Sequence, residues 1–74
     1  MDKEQYKQLA INLLEAIPNK YYYLDYRDHN IVITHINKRY NNNNNKRISI
    51  PFNKDEETIK ERYDEAMKLI KENK

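Results

Sequence analysis

A chain of 74 residues without cysteine must hold together by hydrophobic packing alone, since it can close no disulfide and offers no thiolate to zinc. With 35% charged and 38% hydrophobic residues it reads as one folded domain, residues 1–74, rather than a disordered tail, and a formal net charge of +2 leaves both anionic and protein partners open. The complete absence of glycine excludes a P-loop and a dinucleotide fingerprint, which need backbone that only glycine lets approach phosphate closely.

Met1 is followed at once by Asp2, Lys3 and Glu4, and no apolar run is long enough for a signal peptide or a membrane span. The expectation is a protein of the cytoplasm of a bacterial host. Asn, Lys, Ile and Tyr are abundant, and all four use AT-rich codons, which points to a low-GC bacterial, plasmid or phage gene.

Apolar residues at Tyr6, Leu9, Ala10, Leu13, Leu14 and Ile17 follow the spacing of one helix face and predict a first helix. Asp2 can cap it, and Pro18 with Asn19 should end it. From Tyr21 the composition turns to residues that suit a pleated surface: YYYLDYR, then DHN, then IVITHINKRY. These predict a hairpin with Asp28, His29 and Asn30 at the turn. Leu24 should face inward, together with Tyr22 and Tyr26, while Tyr21, Tyr23, Asp25 and Arg27 face outward. The second strand has two readings. A two-residue turn sends Ile31, Ile33 and His35 to the core, whereas a three-residue turn sends Val32, Thr34 and Ile36 there.

Between KRY and KR lie five asparagines, Asn41 to Asn45. Asn tolerates positive φ, so the run can serve as a permissive loop in a chain without glycine, holding Lys38 and Arg39 on one strand beside Lys46 and Arg47 on the next. RISIPF then alternates, placing Ile48, Ile50 and Phe52 on one face and Arg47 and Ser49 on the other. Pro51 argues that this third strand is an edge, or that its nitrogen faces away from its neighbour. A second helix from about 55 to 72 follows. It is capped by Asn53 or Asp55, with Glu56 and Glu57 against its positive dipole end and an apolar stripe of Ile59, Tyr63, Ala66 and Ile70, joined by Met67 and Leu69. The fold class is α+β: an αβββα order with a three-stranded antiparallel sheet and two helices packed on one face.

The other sheet face is then free to work. Residues 20–54 carry seven basic and two acidic side chains, whereas the segments on either side are each slightly acidic, so the sheet and its loops form the positive pole. Seven tyrosines are many for this length, and four crowd one strand. Aromatics interleaved with Arg and Lys can stack on bases and bind phosphates, or anchor a protein interface. The candidate nucleic-acid or partner-binding residues are Tyr21, Tyr23, Arg27, Lys38, Arg39, Lys46 and Arg47. No catalytic, metal or cofactor site is expected. His29 and His35 are the only histidines, too few for zinc, and Asp25 and Asp28 beside His29 have no serine or cysteine nucleophile near them in sequence.

The stretch KRISIPFNKDEETIKERYDEAMKLI, through Arg47, Ile48, Ile50, its acidic cluster and Tyr63-Asp64-Glu65-Ala66, resembles the last strand and helix of the DNA-binding domain of plant ethylene-response factors and phage homing endonucleases. That family lays a three-stranded sheet in the major groove. The resemblance implies the same use for the outward residues of strands 20–27 and 31–40, and for Arg47. The order is also that of double-stranded RNA-binding domains. Those open their last helix with lysines, where this chain has Asp55, Glu56 and Glu57, and that reading is set aside. In size, order and AT-rich composition the chain is similar to phage-encoded anti-CRISPR inhibitors. The expected function is therefore a small non-enzymatic binding protein of a phage or mobile element. It would contact nucleic acid through the open tyrosine-rich face and the basic loop. The alternatives are an inhibitor of a host defence protein using the same face and a homodimer through the sheet.

Overall fold

In a computed structural model, described for residues 1–41 and 43–73, α1 spans Lys3–Ala16. Its start is a capping box: the Asp2 carboxylate accepts from the Gln5 N–H at 2.8 Å, and the Gln5 side chain accepts from the Asp2 N–H at 3.0 Å. Pro18 ends the helix as expected, with Ile17 already extended at ψ 121°. The Asn19 side chain then accepts from the Tyr21 N–H at 2.9 Å and turns the chain into the sheet.

The strands are β1 (Tyr22–Arg27), β2 (Asn30–Ile36) and β3 (Asn45–Pro51), antiparallel and in the order β1-β2-β3. Helix α2 (Glu56–Glu72) follows, with Asp55 as its cap, accepting from the Thr58 N–H at 3.1 Å. The chain is thus α+β with the order αβββα. Among the described residues, no helix is long and apolar enough to cross a membrane.

Between β1 and β2 the turn holds two residues, Asp28 and His29, because Arg27 pairs with Asn30. This settles the register in favour of Ile31, Ile33 and His35 as the inward set. Asn30 belongs to the strand rather than to the turn, and β2 stops at Ile36, short of residue 40. Lys38 and Arg39 therefore lie in the loop and not on a strand. Pro51 pairs with Asn30 between two hydrogen-bonded pairs, Ile31–Ile50 and His29–Phe52, so its nitrogen points to the free edge, as anticipated.

Both helices cover one sheet face. The core consists of Tyr6, Ala10 and Leu13 from α1, Tyr22, Ile31, Ile33, Ile48 and Ile50 from the sheet, and Ile59, Ala66, Leu69 and Ile70 from α2. Each fully buried Ile or Leu contributes roughly 1.5–3 kcal/mol of transfer free energy. Two tyrosine hydroxyls enter the core with partners: Tyr6 donates to the Ile50 carbonyl, and Tyr22 to the Leu69 carbonyl at 3.4 Å. Burial, with the neighbouring Tyr26 second, pushes the Tyr6 phenol up to about 12. Leu14 and Tyr26 depart from expectation. Leu14 lies on the outer flank of the helix stripe and is 60% exposed; Tyr26 is on the inward face but at the sheet edge, and is 39% exposed.

Candidate functional site

Among the described residues, no element covers the far side of the sheet. The pairing sets its side chains in cross-strand rows: Tyr21 with Ile36, Tyr23 with Thr34 and Arg47, Asp25 with Val32 and Ser49, and Arg27 with Asn30 and Pro51. Tyr21 is 52% exposed and Tyr23 58%, so both expected aromatics are open to solvent, with Ile36 exposed beside them. Arg27 lies at the far end of this face. Its Nε is 3.4 Å from Asp25 Oδ1 on the same strand, an exposed pair that offsets its charge locally.

The other end of the sheet carries the loop. Asn37 accepts from the Arg39 N–H through its side chain at 3.0 Å and from the Tyr40 N–H through its carbonyl at 3.1 Å, forming a first turn. The chain returns through Asn43 and Asn44, both in the left-handed region at φ 57° and 62°, and Asn37 N–H closes the loop on the Asn44 carbonyl at 2.8 Å. Left-handed backbone strains most side chains, and asparagine substitutes here for the missing glycine. The asparagine run is therefore used for its backbone. Asn45 already belongs to β3, and Asn42 lies outside the described residues.

Tyr40 ties this loop to the core. Its hydroxyl is 2.7 Å from Nδ1 of His35, which is 3% exposed and stacks on Tyr22 with ring centres 4.3 Å apart. Burial, and then the Arg39 guanidinium, lower the His35 pKa and favour the neutral imidazole. His29 sits in the exposed turn at the opposite end of β2, and the two histidines share no site. Among the described residues, no group of three or more His, Cys, Asp or Glu could hold a metal ion.

Anchored in this way, the loop presents its cations. The Arg39 guanidinium lies 5.4 Å from the Tyr40 ring centre, and Lys20 Nζ 5.7 Å from that of Tyr21. Tyr40, Asn41, Asn45, Lys46 and Arg47 line an open recess of about 370 Å³. Strand alternation divides the second basic pair: Arg47 projects into the open face beside Thr34, while Lys46, paired with His35, projects to the helix-bearing side beyond the end of the core. Among the described residues, Lys20, Lys38, Arg39, Lys46 and Arg47 make no ion pair. Tyr21, Tyr23 and four of the expected cations thus gather at one end, and Arg27 stands apart.

Lys20 and Tyr40 were not singled out by the sequence reading. The position of Tyr40 between a basic pair and the asparagine run was the available signal. Comparison of the chain with protein-family models, curated proteins and solved structures finds no match.

Proposed function

We propose that the protein is a non-enzymatic binding module that takes nucleic acid on the open sheet face and the basic loop end. The observation that carries this reading is the coincidence, at one end of a sheet with one open face, of exposed tyrosine rings and of cations that make no ion pair among the described residues. Lys38, Arg39, Lys46 and Arg47 would engage backbone phosphates, which need charge and reach rather than fixed geometry. Tyr21 and Tyr23, standing on a strand with Ile36 beside them, offer ring faces for exposed bases or a groove wall.

Binding isotherms against duplex and single-stranded DNA at two salt concentrations test the proposal. Four phosphate contacts give a slope of log K on log salt of about −3.6, hence roughly a hundredfold weaker binding at about 200 mM than at about 50 mM salt. Absence of binding at low salt rejects it.

The exposed apolar row of Tyr21, Tyr23 and Ile36 favours a second reading, in which the same face grips a protein, as an inhibitor of a host factor would. Retention of a protein partner from nuclease-treated lysate, lost in Tyr23→Ser and kept after neutralisation of the four loop cations, would replace the first reading with this one.

A further inference from the structure

The two edges of the sheet are built differently. The free edge of β3 holds Pro51, which has no N–H to offer, and the Arg62 guanidinium caps it by donating to the Ser49 carbonyl at 3.0 Å. Lys46 and Arg47 lie on the same strand. Proline, charge and capping are the devices that deter an added strand. β1, YYLDYR, has no proline, its two charges, Asp25 and Arg27, pair with each other, and β2 is its only neighbour among the described residues. Because the Ile36 N–H bonds the Tyr21 carbonyl at 2.9 Å, and bonded pairs alternate along an antiparallel ladder, the N–H and C=O groups of Tyr22, Leu24 and Tyr26 point away from β2.

Beneath that edge lies an apolar surface. Lys7, Ala10, Ile11, Leu14, Leu24 and Tyr26 surround a groove of about 140 Å³, with Ile11, Leu14 and Tyr26 all exposed. Helix α1 runs antiparallel to β1, with the Tyr6 ring 6.4 Å from that of Tyr26. Ten residues of helix and four of strand each cover roughly 13–15 Å. Ile11, midway along this part of α1, therefore stands beside Leu24, midway along β1.

We propose that β1 pairs with β1 of a second copy of this chain, antiparallel, about a two-fold axis through Leu24. The result is a six-stranded sheet with the two α1 helices side by side beneath it. The surface is complementary to itself under this operation, as an isologous contact requires. Leu24 meets the partner's Leu24, and Tyr22 pairs with the partner's Tyr26. On the open face Tyr21 lies across from the partner's Arg27, and Tyr23 across from the partner's Asp25, so no like charges stand directly opposite. On α1, Lys7 and Glu15 stand four residues either side of Ile11, and neither makes an ion pair among the described residues. An antiparallel crossing at Ile11 sets each Lys7 against the partner's Glu15. A foreign strand would satisfy the free backbone groups but would have no need of that symmetry. The junction uses none of Lys38, Arg39, Lys46 or Arg47, while it places Tyr21 and Tyr23 of the proposed binding face at its own margin.

Sedimentation of the full chain from about 1 µM to about 1 mM reads the association directly. A concentration-dependent dimer is expected. Lys7→Glu, which brings two glutamates together at each contact, should weaken it about tenfold or more, and adding Glu15→Lys should restore it. Ile11→Glu should leave a monomer with an unchanged circular dichroism spectrum. A monomer throughout the range overturns the proposal and leaves the edge to a foreign strand. A dimer that Tyr23→Ser breaks and Lys7→Glu spares overturns it in favour of face-to-face contact. A double charge swap that fails to rescue association, with the fold intact, overturns the two-fold arrangement.

Discussion

The two ends of the sheet use their charges differently. At the Asp28–His29 end both helices begin, and its acids have local work: Asp2 and Asp55 cap helices, Glu4, Glu56 and Glu57 lie in first turns against positive dipole ends, and Glu56 is 3.4 Å from the N-terminal ammonium. Lys3 donates to the Asp28 carbonyl and lies 4.2 Å from the Phe52 ring centre. At the Asn37–Asn44 end, the loop is held by Asn37, Asn43, Asn44 and the His35–Tyr40 contact, none of them cationic. Charges that the fold employs say little about a partner. Cations that the fold does not employ are the ones to test.

The largest effect expected lies at the first end. Tyr6 is fully buried against Phe52 and Tyr26, and Tyr6→Ala should lower the unfolding free energy by about 3–5 kcal/mol, measured by urea denaturation. Next comes the other end. Replacing Lys38, Arg39, Lys46 and Arg47 with glutamine should remove most of the roughly hundredfold salt dependence of DNA binding, about 2.7 kcal/mol. The same variant should shift stability by no more than about 1 kcal/mol, because all four side chains are exposed, none makes an ion pair among the described residues, and Arg39 alone lies over a ring, that of Tyr40. A large stability loss in that variant would show that the cations serve the fold, and the contrast between the ends would fail.

Substitutions in the asparagine run should have smaller effects that depend on position. Asn43→Ala or Asn44→Ala forces alanine into left-handed backbone and should destabilise by about 1 kcal/mol each in thermal unfolding, while glycine at either position should be neutral or better. Asn41→Ser, outside the left-handed pair, should change nothing measurable.

Where one local rule dominated, the sequence was enough. The alternation of Ile48, Ser49 and Ile50 identified the inward face of β3, and of the two caps the sequence offered for α2, Asn53 and Asp55, the structure uses Asp55. Strand β2 resisted, because IVITHI is apolar or β-branched at almost every position, and the length of the preceding turn alone decides which side is buried. Leu13 and Leu14 are adjacent on a broad stripe, and only the position of the sheet edge leaves Leu14 outside. The separation of Lys46 from Arg47 was readable from strand alternation once β3 was extended back to Asn45. The contact between His35 and Tyr40 was not readable, since it depends on the path of a loop that sequence does not specify.

The finest distinction between the ends is in pH. At the loop end, His35 has a folded pKa below its ordinary value of 6.5, chiefly through burial. Well above pH 6.5 both folded and unfolded forms carry a neutral imidazole and its contribution to stability is flat. As pH falls below 6.5 the unfolded chain takes the proton first, so stability declines until the lowered folded pKa is reached, and then levels. At the turn end, hydrogen bonds from Thr58 hold the Asp55 carboxyl below its ordinary 3.8. Its contribution is present above 3.8 and is lost only as pH falls through the lower folded value. Denaturation midpoints followed from pH 8 to pH 2 should therefore show two declines, and single substitutions should remove them one at a time. His35→Gln should flatten the decline just below pH 6.5 while leaving the acid decline, and Asp55→Asn should reduce only the acid one. If His35→Gln leaves the upper decline unchanged, burial and the Arg39 guanidinium do not lower the His35 pKa in the folded chain.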